Sequence, residues 1–203
     1  MIVQEYVAKI NREDWLFHGV CDDSGKLLMG FSGQKLLSFP RHMGPTALGV
    51  SQSNSLLYEL VASFCRLIRF SGVFSMDIML DRRDGAYKFL DFNPRVGGIF
   101  RLFENDQGID VIRGLHLNLT GRKIPAGLPV DGRKLIVENY ARQAFFPFMK
   151  HYGAVERAWF EFDDPLPSIL MRLRWFFYKS LQKQPIRNIA QDNIKNRKDA
   201  NCA

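Results

Sequence analysis

The sequence predicts an α+β fold: an antiparallel sheet with packed helices, followed by a mixed C-terminal extension. Three observations carry this. Two pairs of extended segments flank Asp- and Gly-containing turns, at Cys21–Gly25 and Asp81–Gly85. One long amphipathic helix separates them. The two segments around the second turn, Val73–Leu80 and Ala86–Phe92, alternate in polarity as paired strands do.

The elements follow in order. Ile2–Val7 is short and extended in character. Trp15–Val20 and Lys26–Phe39 bracket the first turn as a hairpin or meander. Residues 40–54, with two Pro, two Gly and a polar cluster, read as a loop that ends in a helix cap at Ser53 to Ser55. Leu56, Leu57, Leu60, Val61, Phe64, Leu67 and Ile68 then form one helical stripe that Gly72 stops. Val73–Leu80 and Ala86–Phe92 form the second hairpin, whose turn residues Asp81 and Asp84 have a conformational role. Asn93–Gly98 is a loop and Ile109–Leu119 a helix. Lys134–Tyr140 and Ala158–Phe162 read as strands, and Asp163-Asp164-Pro165 opens a helix through Leu181. From Gln184 on the chain is polar and without periodicity, and no internal repeat is present. The organisation expected is one unit over 1–121, an α/β extension over 122–183, and a disordered tail over 184–203.

Composition bounds the function. At 203 residues, 46% apolar and 24% charged, the chain is a globular unit with a real core, and 17 Phe make that core aromatic. The net charge of +7 is local: residues 1–121 hold 13 basic and 13 acidic side chains, so the excess lies after Gly121. A neutral body with a basic tail argues against nucleic acid as the partner. Three cysteines without CxxC spacing predict neither a disulfide framework nor a zinc site. With no signal-like N-terminus and no apolar run of membrane-spanning length, a reducing cytoplasm is expected. The four isolated histidines, His18, His42, His116 and His151, receive no catalytic role.

The chemistry concentrates in Gly72–Gly98. If residue i of the first strand faces residue 168−i of the second, Asp77 faces Asp91 and Ser75 faces Asn93 on one side. Met76, Ile78, Leu80, Leu90 and Phe92 then point to the other. Carboxylates directly opposed across a strand pair repel, so a positive group is expected between them. Two carboxylates and an amide oxygen suit Mg²⁺, which with so few protein ligands shares its sphere with phosphates. Arg95, on the same exit, can stabilise a transferring phosphoryl group or hold a carboxylate. A solvated strand face ending in an Asn-Pro turn accounts for the same spacing.

The order Asp77, hairpin, Asp91-Phe92-Asn93-Pro94-Arg95 resembles the C-terminal half of the ATP-grasp superfamily, and NPRVGG with the DDPLP segment is similar to its carboxylate-amine ligases of the D-aspartate ligase and carbamoyl-phosphate-synthase-like type. The resemblance covers residues 2–121. It implies ATP and Mg²⁺, or Mn²⁺ in its place, with Asp77, Asp91 and Asn93 as metal ligands and Arg95 on the γ-phosphate or acyl phosphate. Asp91 stands where Glu is commoner, a methylene shorter in reach. Val3–Val7 matches the family's hinge strand, where backbone groups of Glu5 and Val7 would meet the adenine edge. Asp14 would approach the ribose, or is a solvated strand end. Lys35 would reach a phosphate or the substrate, or is an exposed strand lysine.

The implied activity is an ATP-dependent carboxylate-amine ligase working through an acyl phosphate on small-molecule carboxylate and amine substrates. Family members carry an N-terminal half before the hinge, whereas Met1 stands at the hinge here. The expectations are therefore a fragment, a missing half supplied by a companion chain, or a degenerate, non-catalytic module that binds a partner or membrane. Leu166, Ile169, Leu170, Leu173, Phe177 and Leu181 form an apolar stripe beside a basic one of Arg172, Lys179, Lys183 and Arg187. This leaves three readings for 166–187: docking on its own domain, peripheral contact with an anionic membrane surface, or contact with an acidic partner.

Overall fold

The computed structural model describes residues 5–7, 13–40, 44–140 and 154–181, the last seven of these by backbone alone. The chain divides into two compact units, residues 1–159 and 160–203.

The first unit is built on a seven-stranded sheet. Its strands are β1 (Asp14–Cys21), β2 (Leu27–Ser38), β3 (Thr46–Ser51), β4 (Gly72–Asp81), β5 (Ala86–Asn93), β6 (Lys134–Ile136) and β7 (Glu156–Arg157), in the order β5-β4-β1-β2-β3-β6-β7. Every neighbouring pair is antiparallel except β6 with β7, which is parallel. With its helices the architecture is α+β, and the C-terminal edge makes the sheet mixed.

Helix α1 (Ser55–Ile68) covers one face. Its N-cap is Asn54, whose side chain accepts from the Leu57 N–H. Leu57, Val61 and Cys65 are buried against Trp15, Phe17, Leu27, Phe74, Met76 and Ile78. The abundance of Phe is spent here: Phe74 stacks on Phe17 and Phe92, and Phe70 meets both Phe74 and Phe92 edge-on. Cys21 and Cys65, distant in sequence, meet in this core as free thiols. A hydrogen bond between them raises Cys65 and lowers Cys21.

The opposite face is covered by a 3₁₀ turn (Phe100–Leu102) and helix α2 (Val111–Leu119). The Asp110 carboxylate caps α2 by accepting from Ile112 and Arg113 N–H, both at 2.8 Å. Leu16, Val20, Met29, Phe31, Ile99, Leu102, Phe103, Val111 and Leu135 form the core on this side.

Several expectations need correction. The stretch read as a loop over 40–54 contains β3; Gly and Ala lower its local strand preference, and pairing with β2 and β6 supplies what propensity withholds. At Gly49 the sheet packs closely under Ile99 and Leu102: a Cβ there would stand 2.8 Å from Ile99 Cδ1 and would push that side chain aside. α1 is ended by Arg69 in the left-handed conformation, with φ of 51°, and not by Gly72, which begins β4. Lys134–Tyr140 shortens to β6. The strand expected at Ala158–Phe162 is instead β7, two residues earlier. β7 is pinned by the Arg133 guanidinium, which donates to both Glu156 carboxylate oxygens at 2.9 and 2.7 Å. Residues 5–7 are not strand, and the rest of Ile2–Val7 lies outside the described residues, as does the tail over 184–203.

In the second unit the main element is α3 (Leu166–Leu181), which starts directly after Asp163-Asp164-Pro165.

Candidate functional site

The β4–β5 hairpin sets the site. Its register pairs Ser75 with Asn93, Met76 with Phe92 and Asp77 with Asp91, as the alternation implies. One step on, the pairing slips, and Ile78 faces Phe89. Leu90, expected on the core side, is thereby the bulged residue, and Phe89 meets Phe64 edge-on at 5.2 Å in its place. The bulge lies beside Asp91 and ends regular pairing where the acidic pair begins.

Asp77 and Asp91 are thus directly opposed, on the face away from α1. Each has a compensating partner. Lys35 reaches from β2 over Leu16 of the intervening β1, and its Nζ stands 3.3 Å from Asp77 Oδ2. The Lys35 side chain is only 9% exposed, against 39% for Asp77, so this is a packed cation and not a free surface lysine. Asp91 Oδ2 accepts from Asn93 Nδ2 at 2.7 Å, and Asn93 Oδ1 accepts from Arg95 Nη2 at 3.5 Å. The exposed Arg95 is held by a turn across Pro94, its own N–H donating to the Asn93 carbonyl at 2.8 Å. Asp77, Asp91, Asn93, Arg95 and Lys35 therefore lie together.

Chemically the cluster is two carboxylates, an amide and two cations at the rim of a sheet face. No group of three or more His, Cys, Asp or Glu that could hold a metal by itself is present among the described residues. The oxygens of Asp77, Asp91 and Asn93 fit a small hard cation that completes its sphere with water or phosphate. The Asn93 amide points its NH₂ at Asp91, so coordination by its oxygen requires the amide to turn over, exchanging that hydrogen bond for a ligand bond.

The remaining predicted residues are more dispersed. Asp14 is buried, on β1 opposite Met79, and shares the face and neighbourhood of Asp77. It is not the solvated strand end the sequence allowed. Glu5 gives its carboxylate to Arg83 Nη2 at 2.7 Å, at the tip of the β4–β5 hairpin, and Val7 is buried. Arg83 also grips Asp81, and this holds the Asp81 carboxyl down at about 2.

Two participants were not legible in the sequence. His18 is fully buried two strands from Asn93, in the row Asn93–Ser75–His18–Phe31, with its ring 4.9 Å from Phe103. Burial pushes its pKa down to about 3, so it is neutral. Gly97 brings the loop after Arg95 flat onto this row: a Cβ there would stand 2.6 Å from His18 Cε1 and 2.9 Å from Ser75 Cβ. In the pair of glycines after NPRV, Gly97 is the sequence signal of this close backbone approach.

No family model matches the chain. A D-aspartate ligase of Enterococcus faecium is 26% identical over 99 residues, which is 48% of this chain and 24% of that enzyme. The chain thus spans about a quarter of the length of the curated relative it matches. Among solved structures, a biotin carboxylase–ATP complex from Campylobacter jejuni overlaps with a TM-score of 0.44 at 12% identity, over 61% of this chain and 28% of that one. The ATPase subunit of phosphoribosylaminoimidazole carboxylase from Aquifex aeolicus overlaps with a TM-score of 0.44 at 20% identity, over 60% and 38%. What this chain resembles, in the order and spacing of Asp77, Asp91, Asn93 and Arg95 and in its curated relative, is the ATP-grasp superfamily.

Proposed function

We propose that this chain provides the ATP- and magnesium-binding face of an ATP-dependent carboxylate-amine ligase. The observation that carries the reading is the directly opposed pair Asp77–Asp91 on one sheet face, with Lys35, Asn93 and Arg95 within reach of it. The matched relative, named as a D-aspartate ligase, supports it.

Asp77, Asp91 and the Asn93 oxygen would hold Mg²⁺, which when bound neutralises the phosphate oxygens of ATP. Arg95, exposed and held on its turn, is placed to bind the γ-phosphoryl group with its guanidinium fork. Lys35, which balances Asp77, would offer its ammonium to a phosphate or to the substrate carboxylate if Mg²⁺ were held at Asp77. Asp14, on the same face, is suited to accept from ribose hydroxyls, and the backbone of Glu5 and Val7 to meet the adenine edge. In the first step a carboxylate oxygen of the substrate attacks the γ-phosphorus, the bond to the β-bridging oxygen breaks, and ADP leaves. In the second, an amine attacks the acyl carbon, phosphate departs, the nitrogen loses a proton, and an amide remains. A second wall, from an N-terminal half or a companion chain, would exclude water from the acyl phosphate.

Calorimetric titration of ATP into the chain, with and without Mg²⁺ and repeated on Asp91→Asn, tests this. Binding that needs Mg²⁺ and disappears in the variant supports the reading. Absence of binding under every condition, or binding indifferent to Mg²⁺ and to the substitution, overturns it.

A further inference from the structure

We propose that α3 is a docking element for an anionic lipid surface, lying in the plane of the headgroups. This rests on the second unit alone and is independent of the nucleotide reading.

Three observations converge. The first is exposed apolar area in register. Leu166, Ile169, Leu170 and Leu173 follow one helical stripe and are 57%, 48%, 54% and 49% exposed, and Phe162 just before the helix is almost wholly exposed. Helix stripes of this kind call for an apolar cover.

The second is charge. From Leu166 to Arg187 the sequence carries Arg172, Arg174, Lys179, Lys183 and Arg187 and no acidic residue. Arg172 and Arg174 are exposed. The acids Glu161, Asp163 and Asp164 all precede the helix, and residues 1–121 are neutral, so the positive field belongs to this segment. Such a field decides between occupants. A second copy of the helix would bring the same charges face to face, and an apolar surface would have to desolvate them, whereas anionic headgroups complement them beside acyl chains that receive the leucines.

The third is length and composition. Sixteen residues span about 24 Å, short of a bilayer core. Among the described residues no helix is long and apolar enough to cross a membrane. Trp175-Phe176-Phe177-Tyr178 is the residue mixture that favours the interface between headgroup and hydrocarbon. The helix therefore suits lying on the surface.

Co-sedimentation of the full chain with vesicles tests the proposal, comparing pure phosphatidylcholine with phosphatidylcholine containing phosphatidylserine. The chain is expected to sediment with the anionic vesicles at low salt and to be released as salt rises. Arg172→Gln with Arg174→Gln should weaken binding roughly 25-fold, about 5-fold per charge. Leu170→Gln with Leu173→Gln should weaken it at least about 10-fold. Because the salt series uses the unaltered chain, it decides even if a variant unfolds. A chain that stays in the supernatant with anionic vesicles overturns the proposal. So does equal binding to neutral vesicles, or a dimer in sedimentation velocity that Leu170→Gln with Leu173→Gln dissociates, which would make a second copy the occupant.

Discussion

The two faces of β4 are made by one backbone and obey different rules. Phe74, Met76 and Ile78 point under α1 into a core of stacked aromatics, where fit and volume decide. Ser75 and Asp77 point the other way, onto a face where Asp77 takes its partner, Lys35, from β2, Asp91 takes Asn93 from its own strand, and the buried His18 Nδ1 has none. The bulge at Leu90 switches the odd-numbered positions of β5 between faces: before it, Tyr87 and Phe89 serve the aromatic face, and after it Asp91 and Asn93 serve the polar one while Phe92 continues the aromatic face. Packing tolerates no vacancy on the first face, while the second trades some stability for groups with unmet capacity.

The sharpest way to break this contrast is Phe74→Ala. Phe74 is fully buried and touches Phe17, Phe70 and Phe92, so its truncation should cost about 3–5 kcal/mol in urea unfolding. Ser75→Ala, one residue along on the other face, should cost much less. Comparable losses would mean that the two faces are not governed differently.

The next effect is in pH. His18 titrates near 3 in the fold and near 6.5 unfolded. Below pH 6.5 the unfolded chain therefore binds the extra proton, so acid favours unfolding and stability falls at about 1.4 kcal/mol per pH unit, or about 2 kcal/mol by pH 5. The loss stops only as pH passes the folded value. His18→Gln should flatten the profile over that window, and identical slopes in the two proteins would show that the buried ring is not what acid unfolds.

Gly97 separates shape from charge on the same face. Gly97→Ala drives a methyl into His18 and Ser75 and should cost about 1–2 kcal/mol while loosening the loop that carries Arg95. Gly98→Ala, whose Cβ meets nothing within 4 Å, should fall within about 0.5 kcal/mol of the parent. Equal effects at the two glycines would mean that the loop does not rest on His18.

How much of this could be read from residues follows the same border. The register at the Ser75–Asp77 end of the hairpin, with the facing of Asp77 and Asp91, and the α1 stripe are local facts, written in alternation and helical spacing within about twenty residues, and they were legible; from Ile78 to Asp81 the pairing runs one residue off the expected register. β3 was not, because TALGVS gains its strand character from β2 and β6, far away in sequence. The bulge was not, because either register keeps apolar side chains beneath α1: Leu90 and Phe89 are interchangeable by polarity alone. The Lys35–Asp77 contact needs the strand order β2-β1-β4, a property of topology that spacing along the chain does not hold. His18 looked isolated for the same reason, since its row-mates Phe31, Ser75 and Asn93 come from three other strands.

The smallest effect bears most directly on what the polar face is for. Lys35 is packed and Asp77 is partly exposed, so the net worth of their pairing should be modest, about 0.5–1 kcal/mol in a double-mutant cycle of Lys35→Met and Asp77→Asn. Its sign, however, depends on what else occupies the acidic pair. In Lys35→Met, of the two cations in the cluster only Arg95 remains beside the Asp77–Asp91 repulsion, through Asn93, and a divalent cation becomes the better counter-charge. Added Mg²⁺ should therefore stabilise Lys35→Met more than the parent in thermal unfolding, and should stabilise Lys35→Met with Asp91→Asn no more than the parent. If Mg²⁺ raises all three equally, the carboxylates are balanced by their protein partners alone, and the polar face is, like the aromatic one, only a way of packing the sheet.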